Sequence, residues 1–337
     1  MIKEAIARLV SAQSLSVDES AAVMDEIMTG EATPSQLAAF VVALKMKGET
    51  TEEITGLART MRARAVPVKA RGAVVDVVGT GGDCAGTFNI STTAAFVVAG
   101  AGVKVAKHGN RAATSRCGSA DVLEALGVRI DMPVAQVERC LDEVGMAFMF
   151  APAFHPAMKH AGPTRREIGI PTVFNILGPL TNPASATRQL LGVASEGLVA
   201  KMASVLNSLG CQHALVVHGE DGLDEITITG PSLVCELKGG CCESYTIRPE
   251  DFGLNRGLPA SLKGGDSAEN AAILRGVLSG ETGPRHDVVL LNASAALLAG
   301  DRVESLAEGV ALAREVIDSG RALAKLEQLI DFSRRLP

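Results

Sequence analysis

Two glycine-rich loops, each directly after an apolar run, hold many of the residues in this chain that could do chemistry. The first is Gly79-Thr80-Gly81-Gly82-Asp83, which follows Val74-Val75-Asp76-Val77-Val78 and leads past Thr87 to Asn89-Ile90-Ser91-Thr92-Thr93. The second is Lys107-His108-Gly109-Asn110-Arg111, which follows Val103-Lys104-Val105-Ala106 and continues to Thr114, Ser115 and Ser119. β-Branched runs suit buried parallel strands. Glycines let a backbone approach a ligand closely. Hydroxyls at the start of a following helix join free N–H groups and a dipole that favours an anion. The pattern predicts strand, loop and helix twice, with both loops lining one crevice at the carboxyl ends of neighbouring strands. The first loop matches neither the Walker loop nor the dinucleotide fingerprint, and alone it fits a tight turn as well as a phosphate site. In the second, Lys107, Asn110, Arg111, Thr114 and Ser115 place two cations and three neutral hydrogen-bonding groups within nine residues. A mere turn has no need of them.

Two further groups stand apart from the loops. Asp224 and Glu225 close the acidic stretch that begins at His218, after the apolar run Ala214-Leu215-Val216-Val217. Magnesium takes hard oxygen ligands, usually one or two carboxylates plus substrate phosphates. A solvated acidic turn is the alternative, since Glu220 and Asp221 adjoin. Arg165 and Arg166 lie in Pro163-Thr164-Arg165-Arg166-Glu167. A guanidinium fork suits a carboxylate. A surface pair neutralised by Glu167 is the other reading, and for Arg166 the favoured one. The six histidines show no metal spacing, and no nucleophile–base pair of the hydrolase kind is evident.

Taken together, these motifs resemble the anthranilate phosphoribosyltransferase family of tryptophan biosynthesis. The resemblance runs on through Gly118-Ser119-Ala120-Asp121-Val122-Leu123, Asn175-Ile176-Leu177-Gly178-Pro179-Leu180-Thr181-Asn182-Pro183 and Glu269-Asn270-Ala271, in order over nearly the whole chain. It implies transfer of a phosphoribosyl group from 5-phosphoribosyl-1-pyrophosphate to anthranilate, with pyrophosphate released. The donor would meet Gly79 to Asp83, Thr87, Asn89, Ile90, Ser91, Thr92, Lys107, Asn110, Arg111, Thr114, Ser115 and Ser119. Ser91, Asp224 and Glu225 would hold magnesium, as two ions. Gly79, His108, Asn110, His155 and Arg165 would face anthranilate, with Arg165 on its carboxylate and Asn110 near its amine. For His108 and His155 a structural hydrogen bond is an equal alternative. Asp224, Glu225, Arg165 and Asn110 are the expected catalytic set. Pro171 stands where the family usually carries Arg or a similar residue, and it removes a backbone donor close to Arg165. A pyrimidine nucleoside phosphorylase shares this fold but carries a different Lys-His-Ser loop and lacks the acidic pair. A non-catalytic paralogue that binds nucleic acid or partners is a further alternative.

The elements that must position these groups fall into two patterns. Residues 1 to about 66 show helical periodicity, with capping boxes at Thr33-Pro34-Ser35-Gln36 and Thr50-Thr51-Glu52-Glu53, and predict about four helices. From Val74 strands and helices alternate, which implies a mostly parallel central sheet flanked by helices. Predicted strands include Val128-Arg129-Ile130, Ala147 to Phe150, Leu190 to Val193, Ala214 to Val217 and Ile226-Thr227-Ile228. Ser119 is expected to cap a helix ended by Gly127, and residues 231 to 250 to form a hairpin around Gly239-Gly240. Residues 151 to 186 hold six prolines and interrupt the alternation. The expected class is α/β: a small helical domain, 1–68, joined in space by helices from about 155–185 as the resemblance implies, and a larger α/β domain, 72–337.

Composition sets the outer limits. At 337 residues with 47% hydrophobic and 21% charged residues, the chain is globular with ample core. A net charge of −6, a single Tyr and no Trp argue against nucleic acid, which asks for basic excess or stacking platforms. No apolar run reaches about 18 residues, so no membrane span is expected. The N-terminus reads as an amphipathic helix rather than a signal peptide. Seven scattered cysteines predict free thiols in a reducing cytoplasm. A homodimer is expected, and the apolar helix faces of residues 1 to 66 serve either packing or a dimer contact.

Overall fold

The computed structural model describes residues 1–112 and 115–335. Four helices open the chain: α1 (Ile2–Val10), α2 (Val17–Thr29), α3 (Pro34–Lys47) and α4 (Thr51–Arg64). Ser16, Thr33 and Thr50 cap α2, α3 and α4, each in a reciprocal capping box with Glu19, Gln36 or Glu53. Glu53 does more than cap. Its carboxylate is fully buried, and it also accepts from the Leu15 N–H (3.0 Å) and from Lys47 Nζ (2.9 Å). One group thus ties the start of α4 to the α1–α2 loop and the end of α3.

The sheet has seven strands in the order β3-β2-β1-β4-β5-β6-β7. They are β1 (Val75–Gly79), β2 (Val105–Gly109), β3 (Met146–Phe150), β4 (Arg188–Gly192), β5 (His213–Gly219), β6 (Ser232–Lys238) and β7 (Cys241–Ile247). The first five are parallel, and the hairpin β6–β7 closes one edge antiparallel. Helices cover both faces because alternate residues point opposite ways. Leu190, Leu215 and Val217 join the core beneath α5 (Ile90–Gly100) and α13 (Pro284–Ala299), whereas Leu191, Ala214 and Val216 join the core shared with α11 (Val199–Ser208) and α1 to α4. The remaining long helices are α6 (Ser119–Leu126), α7 (Val134–Glu143), α12 (Ser267–Leu278), α14 (Leu306–Asp318) and α15 (Arg321–Arg334). The architecture is therefore a small helical bundle beside a larger α/β unit with a mostly parallel sheet.

The proline-rich stretch returns to the helical bundle. Ala151–Phe154 (α8), the 3₁₀ turn Pro156–His160, Gly162–Ile168 (α9) and Val173–Leu177 (α10) are short, as prolines enforce. Ala161, Val173, Phe174, Leu177 and Leu180 share the core of α1 to α4. Arg62 on α4 donates to the carbonyls of Leu180 (2.5 Å) and Leu209 (3.1 Å), which fixes the crossing chain to the bundle.

Three local expectations fail, each for a visible reason. Val128-Arg129-Ile130 is not a strand: the Arg129 N–H donates to Ser333 Oγ (3.0 Å) on α15 and not to a neighbouring strand. Nor is Ile226-Thr227-Ile228. The Asn292 side chain takes both the N–H (3.0 Å) and the C=O (2.9 Å) of Ile226, and Ser232 Oγ takes the Thr227 N–H (2.9 Å). Backbone groups already satisfied by side chains need no ladder. Ser119 is the first residue inside α6, and the cap is Gly118, whose N–H donates to Asp121 (2.8 Å). The seven cysteines are all free.

Candidate active site

Strand order reverses at β1, which lies between β2 and β4, and ligands of open α/β sheets bind outside the carboxyl ends of the strands at such a point. The loops after β1, β2 and β5 converge on it. Asp224 is the hub. Its Oδ2 accepts the Gly81 N–H at 2.7 Å, so the acidic loop after β5 grips the glycine loop after β1. A Cβ on Gly79 would collide with the Asp224 carboxylate, and one on Gly192 with the Asp224 backbone. These glycines are what allow the approach. Gly81 and Gly82 turn the loop through the left-handed region, at φ 68° and 87°.

Glu225 lies beside it and accepts the Ser91 N–H (3.2 Å) at the start of α5. Both carboxylates are buried. Burial, with the nearby charge of Asp83, pushes Asp224 up to about 7. Burial and the neighbouring Asp224 push Glu225 well above the usual range, against the pull of Lys107. The fold therefore holds two carboxylates in a place that penalises their charge, and such a site favours a cation. Asp224, Glu225 and the Ser91 hydroxyl form an oxygen-only set suited to a hard divalent ion. Among the described residues no three His, Cys, Asp or Glu side chains form a metal cage, so further ligands would come from elsewhere.

Lys107 is buried between these groups. Its Nζ donates to the Val77 carbonyl (2.5 Å) and to Ser91 Oγ (3.4 Å). Burial lowers its pKa, and the charges of Asp76 and Glu225 oppose that shift. Arg111 sits differently. Its guanidinium pairs with Asp121 (3.0 Å) and both oxygens of Glu124 on α6, and lies 5.6 Å from the Phe150 ring centre. It must leave these acids before it can meet an anion. Asn89 is likewise engaged: Nδ2 donates to the Cys117 carbonyl (3.2 Å), and Oδ1 accepts from Asn270 Nδ2 (3.0 Å). Asn270 also accepts the Gly265 N–H (2.8 Å), so it braces the first loop against the turn before α12. Thr87 bridges Lys263, Ile90 and Thr92 are buried in α5, Thr80 donates to the Gly81 carbonyl (3.2 Å), and Asp83 accepts the Ala85 N–H (3.3 Å). Ser115 donates to Cys117 O (3.4 Å) and Ser119 to Asn110 O (3.3 Å), while Asn110 Oδ1 accepts the Arg111 N–H (2.8 Å). Thr114 lies outside the described residues.

A second cluster gathers where β2 meets the crossing chain. The rings of His108 and His155 lie 5.1 Å apart. His108 is held by the Gly178 main chain and His155 by that of Thr181, and Nε2 of both is buried without a partner. Burial lowers both, His108 to about 3, so at neutral pH each ring is uncharged and its Nε2 is a vacant acceptor. Arg165 on α9 lies over the Phe174 ring, 4.9 Å from its centre, and burial lowers its pKa. No carboxylate pairs with it among the described residues. Arg166 is exposed, as is Pro171, which falls between α9 and α10 and leaves the Arg165–Phe174 stack in place.

Two buried residues of the site escaped the sequence reading. Asp76 is fully buried in β1, where it accepts from the His108 N–H (3.3 Å) and from Asn182 Nδ2 (2.7 Å). An acid inside a valine run was the available signal for Asp76; Asn182 stands in the motif Asn175 to Pro183, with no role attached to it.

The chain matches two family descriptions: "Glycosyl transferase family, helical bundle domain" over residues 3–65 and "Glycosyl transferase family, a/b domain" over residues 71–323. A curated relative, the anthranilate phosphoribosyltransferase of Dehalococcoides mccartyi, is 57% identical over 100% of this chain and 99% of its own. A solved anthranilate phosphoribosyltransferase from Thermus thermophilus superposes with TM-score 0.93 at 48% identity, covering 98% of this chain and 99% of that one. The Saccharomyces cerevisiae anthranilate phosphoribosyltransferase in complex with PRPP and Mg superposes with TM-score 0.91 at 30% identity, covering 99% and 98%.

Proposed function

The chain belongs to the anthranilate phosphoribosyltransferase family, and on that premise we propose how its cleft divides the work of transferring a phosphoribosyl group from 5-phosphoribosyl-1-pyrophosphate to anthranilate. The observation that carries the reading is the buried acidic pair joined to a glycine loop at the sheet's switch point. An aryl amine is neutral at pH 7, so it needs no strong base to attack. The harder tasks are to stabilise the departing pyrophosphate and the cation-like ribose. The chemistry that magnesium supplies in the Asp224, Glu225 and Ser91 set is neutralisation of charge on the pyrophosphate. We propose two ions there, since Asp224 and Glu225 contact different elements, the first loop and the start of α5.

The chain's own groups do the rest. N–H groups of Gly79 to Asp83 and of Asn89 to Thr92 receive phosphate oxygens, with Thr80, Thr87, Ser91 and Thr92 hydroxyls beside them. Lys107 adds positive charge under the leaving group. Asn110, Thr114, Ser115 and Ser119 receive the other end of the donor, and Arg111 exchanges Glu124 for that phosphate. Arg165 takes the acceptor's carboxylate, and Asn110 with the vacant Nε2 atoms of His108 and His155 receives the amine's N–H. Gly79 is assigned to the acceptor through its backbone, since the Asp224 carboxylate occupies its side-chain position. Proximity of amine and ribose supplies a large part of the rate. We assign residues 1–68 with 155–185 to one domain and the rest of 72–337 to the other. Calorimetry tests the functional assignment: the donor should bind with magnesium present, and thymidine or uridine hardly at all. Binding and phosphorolysis of thymidine without turnover of anthranilate would favour a nucleoside phosphorylase.

The assembly is proposed to be a homodimer through the helical bundle. Met1, Val10, Met46 and Ile170 are 52%, 74%, 84% and 52% exposed and lie at α1, α3 and just after α9. Large exposed apolar residues ask for cover. Met46→Asp with Val10→Asp should convert the dimer to monomer in analytical ultracentrifugation; an unchanged mass would move the interface elsewhere. No described helix is long and apolar enough to cross a membrane. We place the enzyme in the cytoplasm, with no nucleic-acid partner.

A further inference from the structure

Between β1 and β2 a single pair, Val75 with Val105, is in register, whereas β1–β4, β2–β3 and β4–β5 each run for five. Beyond that pair, side chains take backbone groups at the junction. The His108 N–H donates to Asp76 Oδ1 (3.3 Å), the Ala106 carbonyl accepts from Asn182 Nδ2 (2.8 Å), and the Val77 carbonyl accepts from Lys107 Nζ (2.5 Å). Asn182 Nδ2 also donates to Asp76 Oδ2 (2.7 Å), and its Oδ1 accepts the Ala184 N–H (2.8 Å). Asp76 is 0% exposed and Asn182 4%. A carboxylate in the middle of a sheet is unfavourable unless both oxygens are satisfied and its charge is balanced. Here both oxygens receive donors, and Lys107 lies close enough to interact with its charge. The amide of Asn182 is likewise engaged on both its oxygen and its nitrogen, so its orientation is fixed.

The position of this joint gives it a role. Asn182 belongs to the crossing chain, and the same few residues hold both acceptor-side rings, Gly178 for His108 and Thr181 for His155. His108 is bonded twice: through its ring to the crossing chain and through its N–H to Asp76. Resting on the acceptor assignment above, we infer that Asp76 and Asn182 are positioning residues that lock the acceptor half of the cleft onto the sheet and set the ring geometry of His108 and His155. The donor loops have separate anchors. Asp224 holds Gly81, Asn270 holds Asn89, and Asp121 holds Ala112 and Gly118. Loss of Asn182 therefore acts on the acceptor side, whereas loss of the Asp76 charge also reaches Lys107.

The test uses Asp76→Asn, Asn182→Ala and the pair together in the full chain. An amide at 76 can accept from only one of its two donors without presenting its NH₂ to the other. The expected result is a rise of about tenfold or more in KM for anthranilate with a fall in kcat, the scale of losing a charged hydrogen bond. Donor affinity with magnesium, read by calorimetry, should stay near the wild-type value in Asn182→Ala. The double variant should be little worse than the worse single one, because both break one joint. Asn182→Ser, which keeps a donor for Asp76, should recover part of the loss and serves where Asn182→Ala does not fold. A lower melting temperature with unchanged kinetic constants per folded molecule would overturn the proposal, as would equal losses for both substrates in Asn182→Ala. A substrate-free readout separates this proposal from the functional one. Ring ¹⁵N signals of His108 and His155 should show one fixed tautomer, protonated at Nδ1, in the wild type and lose it in the variants. If the wild type does not turn over anthranilate, the functional reading falls, and the ring signals alone decide the joint: unchanged signals sink it.

Discussion

Asp224→Asn combined with Glu225→Gln should lower turnover by about 10³-fold or more, the scale of removing preorganised charge stabilisation from an active site, yet make the metal-free protein more stable. The two effects share one cause. Both carboxyls have folded-state pKa values raised by burial and by neighbouring acids, Asp224 to about 7. A carboxyl raised in this way favours the fold while protonated. That contribution is complete below its unfolded value, about 4, and is lost as the pH rises through about 7. The wild type without metal should therefore melt at a lower temperature at pH 8.5 than at pH 6, and the amide pair should flatten that dependence. Asn at 224 still accepts the Gly81 N–H, so the loops stay joined. Saturating magnesium and pyrophosphate should restore much of the wild type's loss at high pH, because they bind the charged form. Unchanged turnover in the double variant would remove the metal from this pair. A double variant less stable than wild type at pH 8.5 would show that the acids are structural.

Arg165→Ala should raise KM for anthranilate and lower kcat/KM while leaving donor affinity intact. A charged hydrogen bond contributes about 1.5–3 kcal/mol, or roughly tenfold to a hundredfold. The guanidinium lies on the Phe174 ring with no acid opposite, and burial already disfavours its charge. Such a group gains most from an arriving carboxylate. Arg165→Lys should rescue little, since an ammonium lacks both the fork and the flat stacking face. Arg166→Ala is the control. If Arg166→Ala raises the KM and Arg165→Ala does not, the assignment is one residue out.

The parts of the site that the sequence announces are those made of local signals. A β-branched run followed by glycines and hydroxyls places both loops, and Asp224-Glu225 stands out because two acids follow a buried strand. The capping boxes at Thr33 and Thr50 mark α3 and α4 within one turn, while the box at Ser16 went unread. What stays hidden depends on partners far along the chain. Ile226 to Ile228 alternates like a strand, but Asn292, 66 residues away, takes its backbone bonds. Asn182 meets Asp76 across 106 residues, and Asn270 meets Asn89 across 181. No periodicity reports such pairs. Arg111 shows the complementary limit. Its loop position suggests a phosphate ligand, while α6 supplies Asp121 and Glu124 to hold it. Residue type marks the charge but not which partner holds it.

The central claim is the transfer itself, and the loss of anthranilate fluorescence measures it directly. The purified protein should quench anthranilate emission in time when 5-phosphoribosyl-1-pyrophosphate and magnesium are both present. Omitting either, or adding a chelator in excess of magnesium, should stop the change, and restoring magnesium should restart it. No decay with folded protein, donor and magnesium all present would contradict the account, and decay that persists in excess chelator would contradict its assignment of Asp224 and Glu225.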